Sequence, residues 1–137
     1  MIVLDSSFLV AFHNKRDSHH KTASALMERF LEGEWGKGLL LEYVFLEVTS
    51  VLLSRRDLQA AARVGRLLLE ARELDFVPCS DFFVESVELF LHQGRTRLSF
   101  ADAAIAYIAK ERAGGLLLTF DEGFAKLPGV VIPTGGE

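Results

Sequence analysis

The feature that most constrains the fold of this chain is an alternation of short, wholly apolar runs with longer segments of helical period. Five runs are apolar at consecutive positions, at residues 2–4, 39–41, 76–77, 116–118 and 130–132. Parallel strands that are covered on both faces show this pattern, whereas half-exposed strands alternate between apolar and polar residues. Strands separated by helices predict an α/β protein in which a five-stranded parallel sheet lies between two layers of helices.

The segments between these runs have recognisable helix ends. Apolar residues recur at helical spacing from Ser18 to Leu31 and again from Glu42 to about Arg55, and Asp57, Asp81 and Ser99 can each cap a helix that follows. The expected order is strand and two helices, three times over, then a strand, a short helix and a last strand. With 137 residues, the chain is expected to form a single domain over residues 1–137.

Composition excludes several classes of protein. Half of the residues are hydrophobic, which argues against disorder, and the single cysteine, Cys79, excludes a scaffold held by intramolecular disulfides. The formal net charge of −4 gives no indication of a protein that binds nucleic acid through overall positive charge. No signal-peptide pattern precedes Asp5, and no apolar stretch reaches the ~20 residues of a membrane span. We therefore expect a soluble, cytoplasmic protein without a membrane partner.

Four carboxylates are predicted to meet at one edge of the sheet. Asp5 ends the first strand, and Asp121 closely follows the fourth. Asp102 lies in the first turn of the helix that begins at Ser99, and Glu47 lies in the helix after the second strand, its side chain leaning toward the start of that helix. These helices run antiparallel to the strands, so they start at the carboxyl edge of the sheet, where α/β proteins of this type bind ligands.

Clustered carboxylates predict a divalent cation. Burying unpaired carboxylates costs several kcal/mol each, and Mg²⁺ or Mn²⁺ relieves this because hard cations prefer oxygen ligands. One or two such ions can activate water against a phosphodiester. The sequence contains no cluster of Cys and His ligands, no Walker P-loop and no GxSxG motif that would indicate another chemistry.

The segments that carry these acids resemble the PIN domain family. They are Asp5-Ser6-Ser7 after the first strand, Glu47 in a Leu/Val-rich helix, residues 98–103 (LSFADA) and residues 118–121 (LTFD). The size, the order of elements and the tail at residues 124–130 are similar to those of the VapC-type toxins in that family. The resemblance implies a sheet of order 3-2-1-4-5 with its reversal between the first and fourth strands.

The resemblance also implies a function. It predicts a metal-dependent endoribonuclease that cleaves RNA, binds one or two Mg²⁺ or Mn²⁺ ions, forms a homodimer and is inhibited by a small antitoxin protein. The predicted metal-binding and catalytic residues are Asp5, Glu47, Asp102 and Asp121. In the family a small hydroxyl or amide residue follows the first Asp, which here corresponds to Ser6 and Ser7.

Other residues are expected to support or extend this site. Thr119 is predicted to orient a carboxylate with its hydroxyl, and Ser99 to cap the helix that presents Asp102. Ten of the fifteen cations are arginines, and Arg95 and Arg97 are the best candidates for contacts to RNA phosphates because their loop leads to the site.

Three of the four acids also have a purely structural interpretation. Asp102 is the fourth residue of a capping-box pattern, Asp5 fits a turn, and Asp121 can cap the short helix that follows it. Glu42 competes with Glu47, because residues five apart on a helix point about 140° apart and cannot share a metal. The helix dipole explains Glu42. The convergence of the four acids on one edge favours the metal site.

Two other functions fit the same elements. One is an RNA- or protein-binding module that does not cleave, and the other is a phosphatase with Asp5 as phosphoryl acceptor. Such phosphatases carry a second Asp two residues later, where this chain has Ser7. The Ala-rich helix after Ser99 and the Phe-rich segment at residues 82–90 are expected to contact a second subunit or an antitoxin helix.

Overall fold

In the computed structural model, which describes residues 1–134, four parallel strands lie in the order β3-β2-β1-β4. The strands are β1 (Ile2–Leu4), β2 (Gly38–Leu41), β3 (Leu74–Val77) and β4 (Leu117–Leu118). Val3 is in register with Leu39 on one side and with Leu117 on the other. Every residue of β1, β2 and β4 is buried. Both faces of the sheet are therefore covered, as the uninterrupted apolar runs predict.

Six α-helices and two short 3₁₀ helices occur in the described residues. The α-helices are α1 (Ser6–His13), α2 (His20–Leu31), α3 (Glu42–Arg55), α4 (Leu58–Glu70), α5 (Phe83–Leu91) and α6 (Phe100–Arg112), and the 3₁₀ helices are Cys79–Phe82 and Glu122–Lys126. Helices α1 to α4 pack mainly among themselves, and α5 packs against α6. None of the helices in residues 1–134 is both long and apolar enough to cross a membrane.

Two of the three predicted helix caps form. The Asp57 carboxylate accepts a hydrogen bond from the N–H of Ala60 at 2.7 Å, and the Ser99 hydroxyl caps α6. Asp81 does not cap α5, because it lies inside the 3₁₀ helix that precedes α5.

The prediction of a fifth strand is wrong. Residues 130–132 contribute a single parallel bridge, between Val131 and Leu116, on the outer side of β4. Val131 donates to the carbonyl of Gly115 and accepts from the N–H of Leu117. The next donor in this parallel ladder would be the N–H of residue 133, which is a proline and has none. The order of the regular sheet is therefore 3-2-1-4 and not 3-2-1-4-5.

Strand β3 is an edge strand and differs from its expected form. It begins at Leu74, a residue whose spacing also continues the apolar stripe of α4. Phe76 is 47% exposed, because β3 pairs only with β2. A short apolar run cannot distinguish a central strand from an edge strand by itself.

The apolar face of the Ala-rich helix packs inside the chain and is not available as a surface for partners. Residues Ala103, Ala104, Ala106 and Ala109 of α6 are fully buried within the chain itself. The Phe-rich segment divides instead: Phe82 is buried, whereas Phe83 is half exposed.

The chain direction at the end of each strand positions the candidate site. Asp5 follows β1 and leads into α1, α3 begins directly after β2, and Thr119 follows β4. The N–H of Asp5 donates to the carbonyl of Leu118 at 2.9 Å, which joins the ends of β1 and β4. Polar residues from distant parts of the chain thus collect at the carboxyl edge of the sheet.

Candidate active site

Asp5 is held by two hydroxyl groups that come from opposite ends of the chain. Its side chain is buried, and Ser7 and Thr119 both donate to its Oδ2, at 2.8 and 2.7 Å. Each hydroxyl also accepts a backbone N–H, Ser7 from Phe120 at 2.9 Å and Thr119 from Asp121 at 3.0 Å. Because those N–H groups occupy a lone pair on each hydroxyl oxygen, the single hydroxyl proton is free to point at the carboxylate.

Burial dominates the electrostatics of Asp5. It raises the pKa of Asp5 above its ordinary value, since a charged carboxylate loses hydration inside the protein. The hydrogen bonds from Thr119 and Ser7 act in the opposite direction, and the negative charge of Glu47 adds to the increase. Two hydroxyl groups therefore stabilise the ionised form of Asp5, which burial disfavours.

Glu47 is connected to the same network through Ser6. The buried Ser6 hydroxyl donates to Glu47 Oε1 at 2.5 Å, across 41 residues of chain. The two serines predicted to support the acids thus have different partners, since Ser7 serves Asp5. Glu42 lies away from this network, because its Oε1 accepts the N–H of Cys79 at 3.0 Å. That contact adds to the dipole as a structural reason for an acid at the start of α3.

Asp102 lies in the first turn of α6, within electrostatic range of two other acids. Partial burial raises its pKa, and the negative charges of Asp5 and Asp121 raise it further, whereas hydrogen bonding with Ser99 lowers it. Ser99 caps α6 by accepting the N–H of Asp102 at 3.1 Å. The two roles are therefore compatible, because the cap engages the backbone of Asp102 and its carboxylate interacts electrostatically with the neighbouring aspartates.

Asp121 is the most exposed of the three aspartates and has a structural contact of its own. Its Oδ1 accepts the N–H of Gly123 at 2.9 Å and so caps the second 3₁₀ helix. Its backbone N–H is tied to Thr119, which also contacts Asp5. This backbone contact keeps Asp121 next to the buried acid.

The donor set fits a hard divalent cation. All four side chains offer carboxylate oxygens, the ligand type that Mg²⁺ and Mn²⁺ prefer. Within residues 1–134, no three Asp, Glu, His or Cys side chains are drawn together tightly enough to form a closed metal-binding cluster. Mg²⁺ does not require one, because it is usually bound through one or two carboxylates and keeps several waters.

A cavity of about 290 Å³ adjoins this network. Ser6, Ser7 and Glu47 line one part of it, and His19, Arg55 and Phe120 line another. The imidazole of His19 stacks on the ring of Phe120, with centroids 4.4 Å apart and planes inclined by 6°. Sequence patterns favour a solvated or packing role for His19; the signal that could have indicated more is that Phe120 lies between Thr119 and Asp121.

A second, more apolar groove of about 500 Å³ lies on the other side of Glu47. Tyr43, Phe83 and Phe100 line it together with Glu47. The ring of Phe100 is 5.4 Å from that of Phe83 and 6.1 Å from that of Tyr43. Glu47 thus borders a polar cavity and an aromatic groove.

Arg95 and Arg97 lie on the exposed loop before α6, and neither lines the two cavities beside Glu47. The loop itself is organised by Gln93, whose side chain accepts the N–H of Leu98 at 2.7 Å and donates to the carbonyls of Leu98 and Phe90. Motif reasoning does not identify Gln93, because its role depends on the path of the loop.

Comparison with known proteins agrees with this architecture. The model of the PIN domain family matches residues 2–130. No match was found among curated proteins. Several solved structures share the fold over nearly the whole chain.

Three of these structures come from bacteria. VapC20 of Mycobacterium tuberculosis, described as a toxin that cleaves the sarcin–ricin loop, has a TM-score of 0.81 at 20% identity, covering 95% of this chain and 97% of its own. A toxin–antitoxin complex from Klebsiella pneumoniae has a TM-score of 0.65 at 21% identity, covering 96% of both chains. VapBC2 of Rickettsia felis, bound to promoter DNA, has a TM-score of 0.65 at 18% identity, covering 97% and 98%. At these identities the similarity demonstrates the fold.

Proposed function

The chain belongs to the PIN domain family, and on that premise we propose that it is a metal-dependent endoribonuclease and the toxin of a toxin–antitoxin pair. The observation that carries the proposal is the hydroxyl network that fixes buried Asp5 at the carboxyl edge of the sheet, within electrostatic range of Glu47 and Asp102. The description of VapC20 as an RNA-cleaving toxin supports the same activity.

Asp5, Glu47, Asp102 and Asp121 would hold the metal, either one or two ions of Mg²⁺ or Mn²⁺. The chemistry that such an ion supplies when bound is polarisation of a phosphoryl oxygen and a lower pKa of water. A bound cation would also stabilise the ionised form of Asp5, which burial disfavours.

The side chains around the acids position them. Ser7 and Thr119 direct protons at Asp5 Oδ2, so the carboxylate cannot rotate without losing two hydrogen bonds. Ser6 fixes Glu47 in the same way, and Ser99 orders the first turn of α6, on which Asp102 lies. Contacts of this kind hold a site in a geometry suited to an in-line attack on a phosphodiester, and losing one typically costs 10–100-fold in metal affinity or activity.

We propose RNA, a small antitoxin protein and a second copy of this chain as partners, in the cytoplasm. The toxin–antitoxin complex from Klebsiella pneumoniae supports the antitoxin as a partner. Exposed apolar side chains on the face of α3 and α4 offer a surface to either protein: Leu53, Leu58 and Leu69 are 53%, 70% and 59% exposed. Arg95 and Arg97 remain candidates for phosphate contacts, because both are exposed on the loop that leads to Asp102.

Cleavage assays test the proposal. Purified protein with Mg²⁺ or Mn²⁺ should cut RNA, supplied as single strands and as hairpins that include a sarcin–ricin loop, and EDTA should stop the reaction. Asp102→Asn should lower the rate by at least about 100-fold, since it removes a proposed metal ligand. Asp75→Asn is the matched control, because Asp75 pairs at the surface with Lys37 and lies outside the site. Cleavage that persists in Asp102→Asn would contradict the site, and metal-dependent RNA binding without products would instead identify a non-cleaving module.

A further inference from the structure

We infer that the cavity beside the carboxylates, which we call the His19 cavity, binds one nucleotide of the RNA next to the bond that is cut. In the bound state, the base stacks on His19 and a flanking phosphate contacts Arg55. This inference rests on the proposed ribonuclease function and assigns a substrate contact to residues outside the acidic quartet. The cavity volume of about 290 Å³ is near the lower limit of ligand pockets, about 300 Å³, which suits a single nucleotide.

The His19 cavity is continuous with the proposed catalytic network. Ser6, Ser7 and Glu47 line it, and these residues form the hydrogen bonds that fix the acids. A strand of RNA with its phosphate at the acids therefore has its neighbouring nucleotide within reach of this cavity.

The rings of His19 and Phe120 form an aromatic platform at this cavity. His19 is exposed and lies flat on Phe120, so the stacked pair presents an aromatic face at the surface. Phe120 contacts the fully buried Phe8, with ring centroids 6.1 Å apart, and its N–H donates to Ser7. The platform is thereby joined both to the core and to the Asp5 network. Unpaired bases of RNA stack on aromatic side chains, histidine included.

Arg55 brings to the cavity a guanidinium that has no partner within residues 1–134. Arg55 is the last residue of α3, it is exposed, and across residues 1–134 its side chain forms neither a hydrogen bond nor an ion pair. Asp17 also lines the cavity, but its Oδ1 is already engaged by the N–H of His19 at 2.9 Å. The planar guanidinium of Arg matches the geometry of a phosphate. The imidazole of His19 likewise has no hydrogen bond in the described part of the chain.

Binding measurements in a cleavage-deficient background test the assignment. Fluorescein-labelled 8-nucleotide oligouridylate and oligoadenylate are titrated with the full chain carrying Asp102→Asn, with Mg²⁺ present, and anisotropy is recorded over a range of KCl concentrations. Asp102 does not line the cavity, so this background leaves the cavity intact. Arg55→Ala and His19→Ala are compared with Arg56→Ala and His92→Ala, which replace exposed residues outside the cavity.

We expect Arg55→Ala to weaken binding and to reduce the slope of log K against log salt by about 0.7, the value for one phosphate contact to a single strand. His19→Ala should weaken binding by about tenfold for both oligonucleotides without changing that slope, because stacking is tolerant of sequence and the substitution removes no phosphate contact. The two control variants should match the background, and thermal unfolding should report the same Tm for all four.

The inference is wrong if Arg55→Ala and His19→Ala bind as their controls do, or if the background chain binds neither oligonucleotide. Failure of the proposed function gives a different result. If RNA binding depends on Arg55 and His19 but the unsubstituted chain does not cleave, the ribonuclease proposal is wrong and the nucleotide site is supported. If the unsubstituted chain cleaves RNA and both variants bind as the background does, the ribonuclease proposal is supported and the nucleotide site is wrong.

Discussion

Replacing Thr119 by Val removes the proton that Thr119 donates to Asp5 and keeps nearly the same shape. Thr119 is 7% exposed, and its hydroxyl donates to Asp5 Oδ2 at 2.7 Å and accepts the N–H of Asp121 at 3.0 Å. A hydrogen bond to a charged group contributes about 1.5–3 kcal/mol. The substitution also removes the acceptor of the N–H of Asp121, but water can replace it because Asp121 is exposed. We therefore expect Thr119→Val to lower the free energy of unfolding by about 2 kcal/mol at pH 8.

The pH dependence identifies the cause. The bond from Thr119 lowers the pKa of Asp5, so it favours the ionised carboxylate. Its contribution to stability is present where Asp5 is ionised and is lost as pH falls through the pKa of Asp5 in the folded protein. The destabilisation by Thr119→Val should therefore shrink between pH 8 and pH 4. Thr119→Ser keeps the hydroxyl and loses a methyl group, so its cost of about 1 kcal/mol should not change with pH.

Urea denaturation in EDTA, measured at both pH values, provides the assay. For a domain of this size 1 kcal/mol corresponds to about 3–5 °C in Tm, so thermal unfolding should show a decrease of about 6–10 °C at pH 8. In an Asp5→Asn background the bond becomes neutral, and a double-mutant cycle should give a coupling of about 1 kcal/mol between positions 5 and 119. Equal costs of Thr119→Val at the two pH values, together with no coupling, would refute the reasoning.

Three further predictions concern other parts of the molecule. The pKa of Asp102 is raised chiefly by burial, so the contribution of Asp102 to stability is fully present below its ordinary pKa and is lost as the pH rises through its pKa in the folded protein. Metal-free Asp102→Asn should therefore unfold at a higher urea concentration than the unsubstituted chain at pH 7, and this difference should close toward pH 4. A difference that does not depend on pH would contradict this prediction. Gly115→Ala should lower the free energy of unfolding by more than about 3 kcal/mol, because a Cβ would lie 1.9 Å from the carbonyl oxygen of Gly129. Gly114 has open space around it, so Gly114→Ala should lower the free energy of unfolding only by the about 1–2 kcal/mol of its left-handed backbone. Equal Tm values for the two variants would be inconsistent with the clash. Gln93→Ala should accelerate hydrogen exchange at the N–H of Leu98, and unchanged protection there would show that Gln93 does not order the loop.

Much of the fold follows from local pattern. Uninterrupted apolar runs locate β1, β2 and β4, and helical periodicity with capping residues locates α2, α3, α4 and α6, because these signals depend on neighbours within a few residues. The errors have a common origin. The fifth strand does not form, because Pro133 has no N–H to continue the ladder beyond the bridge at Val131. Phe76 is exposed because β3 lies at the edge of the sheet. Both outcomes depend on which strand lies alongside and not on the run itself.

The candidate site divides in the same way. The sequence predicts that Asp5, Glu47, Asp102 and Asp121 lie at one edge, because each acid follows a strand or lies in the early turns of a helix and parallel topology places those segments together. The individual hydrogen bonds do not follow. Nothing in the pair Ser6-Ser7 indicates that one hydroxyl binds Glu47 and the other Asp5.

The sequence by itself therefore determined the type of fold and the family, and it predicted the acids, since each of these is carried by residues close together in the chain. Only the tertiary structure decided how the acids are held and what lies beside them. Thr119 reaches Asp5 across 114 residues, and His19 stacks on Phe120 from the far side of the fold. Hydrogen bonds and stacking act over a few ångströms, so they depend on how closely distant segments pack, and local pattern does not contain that information.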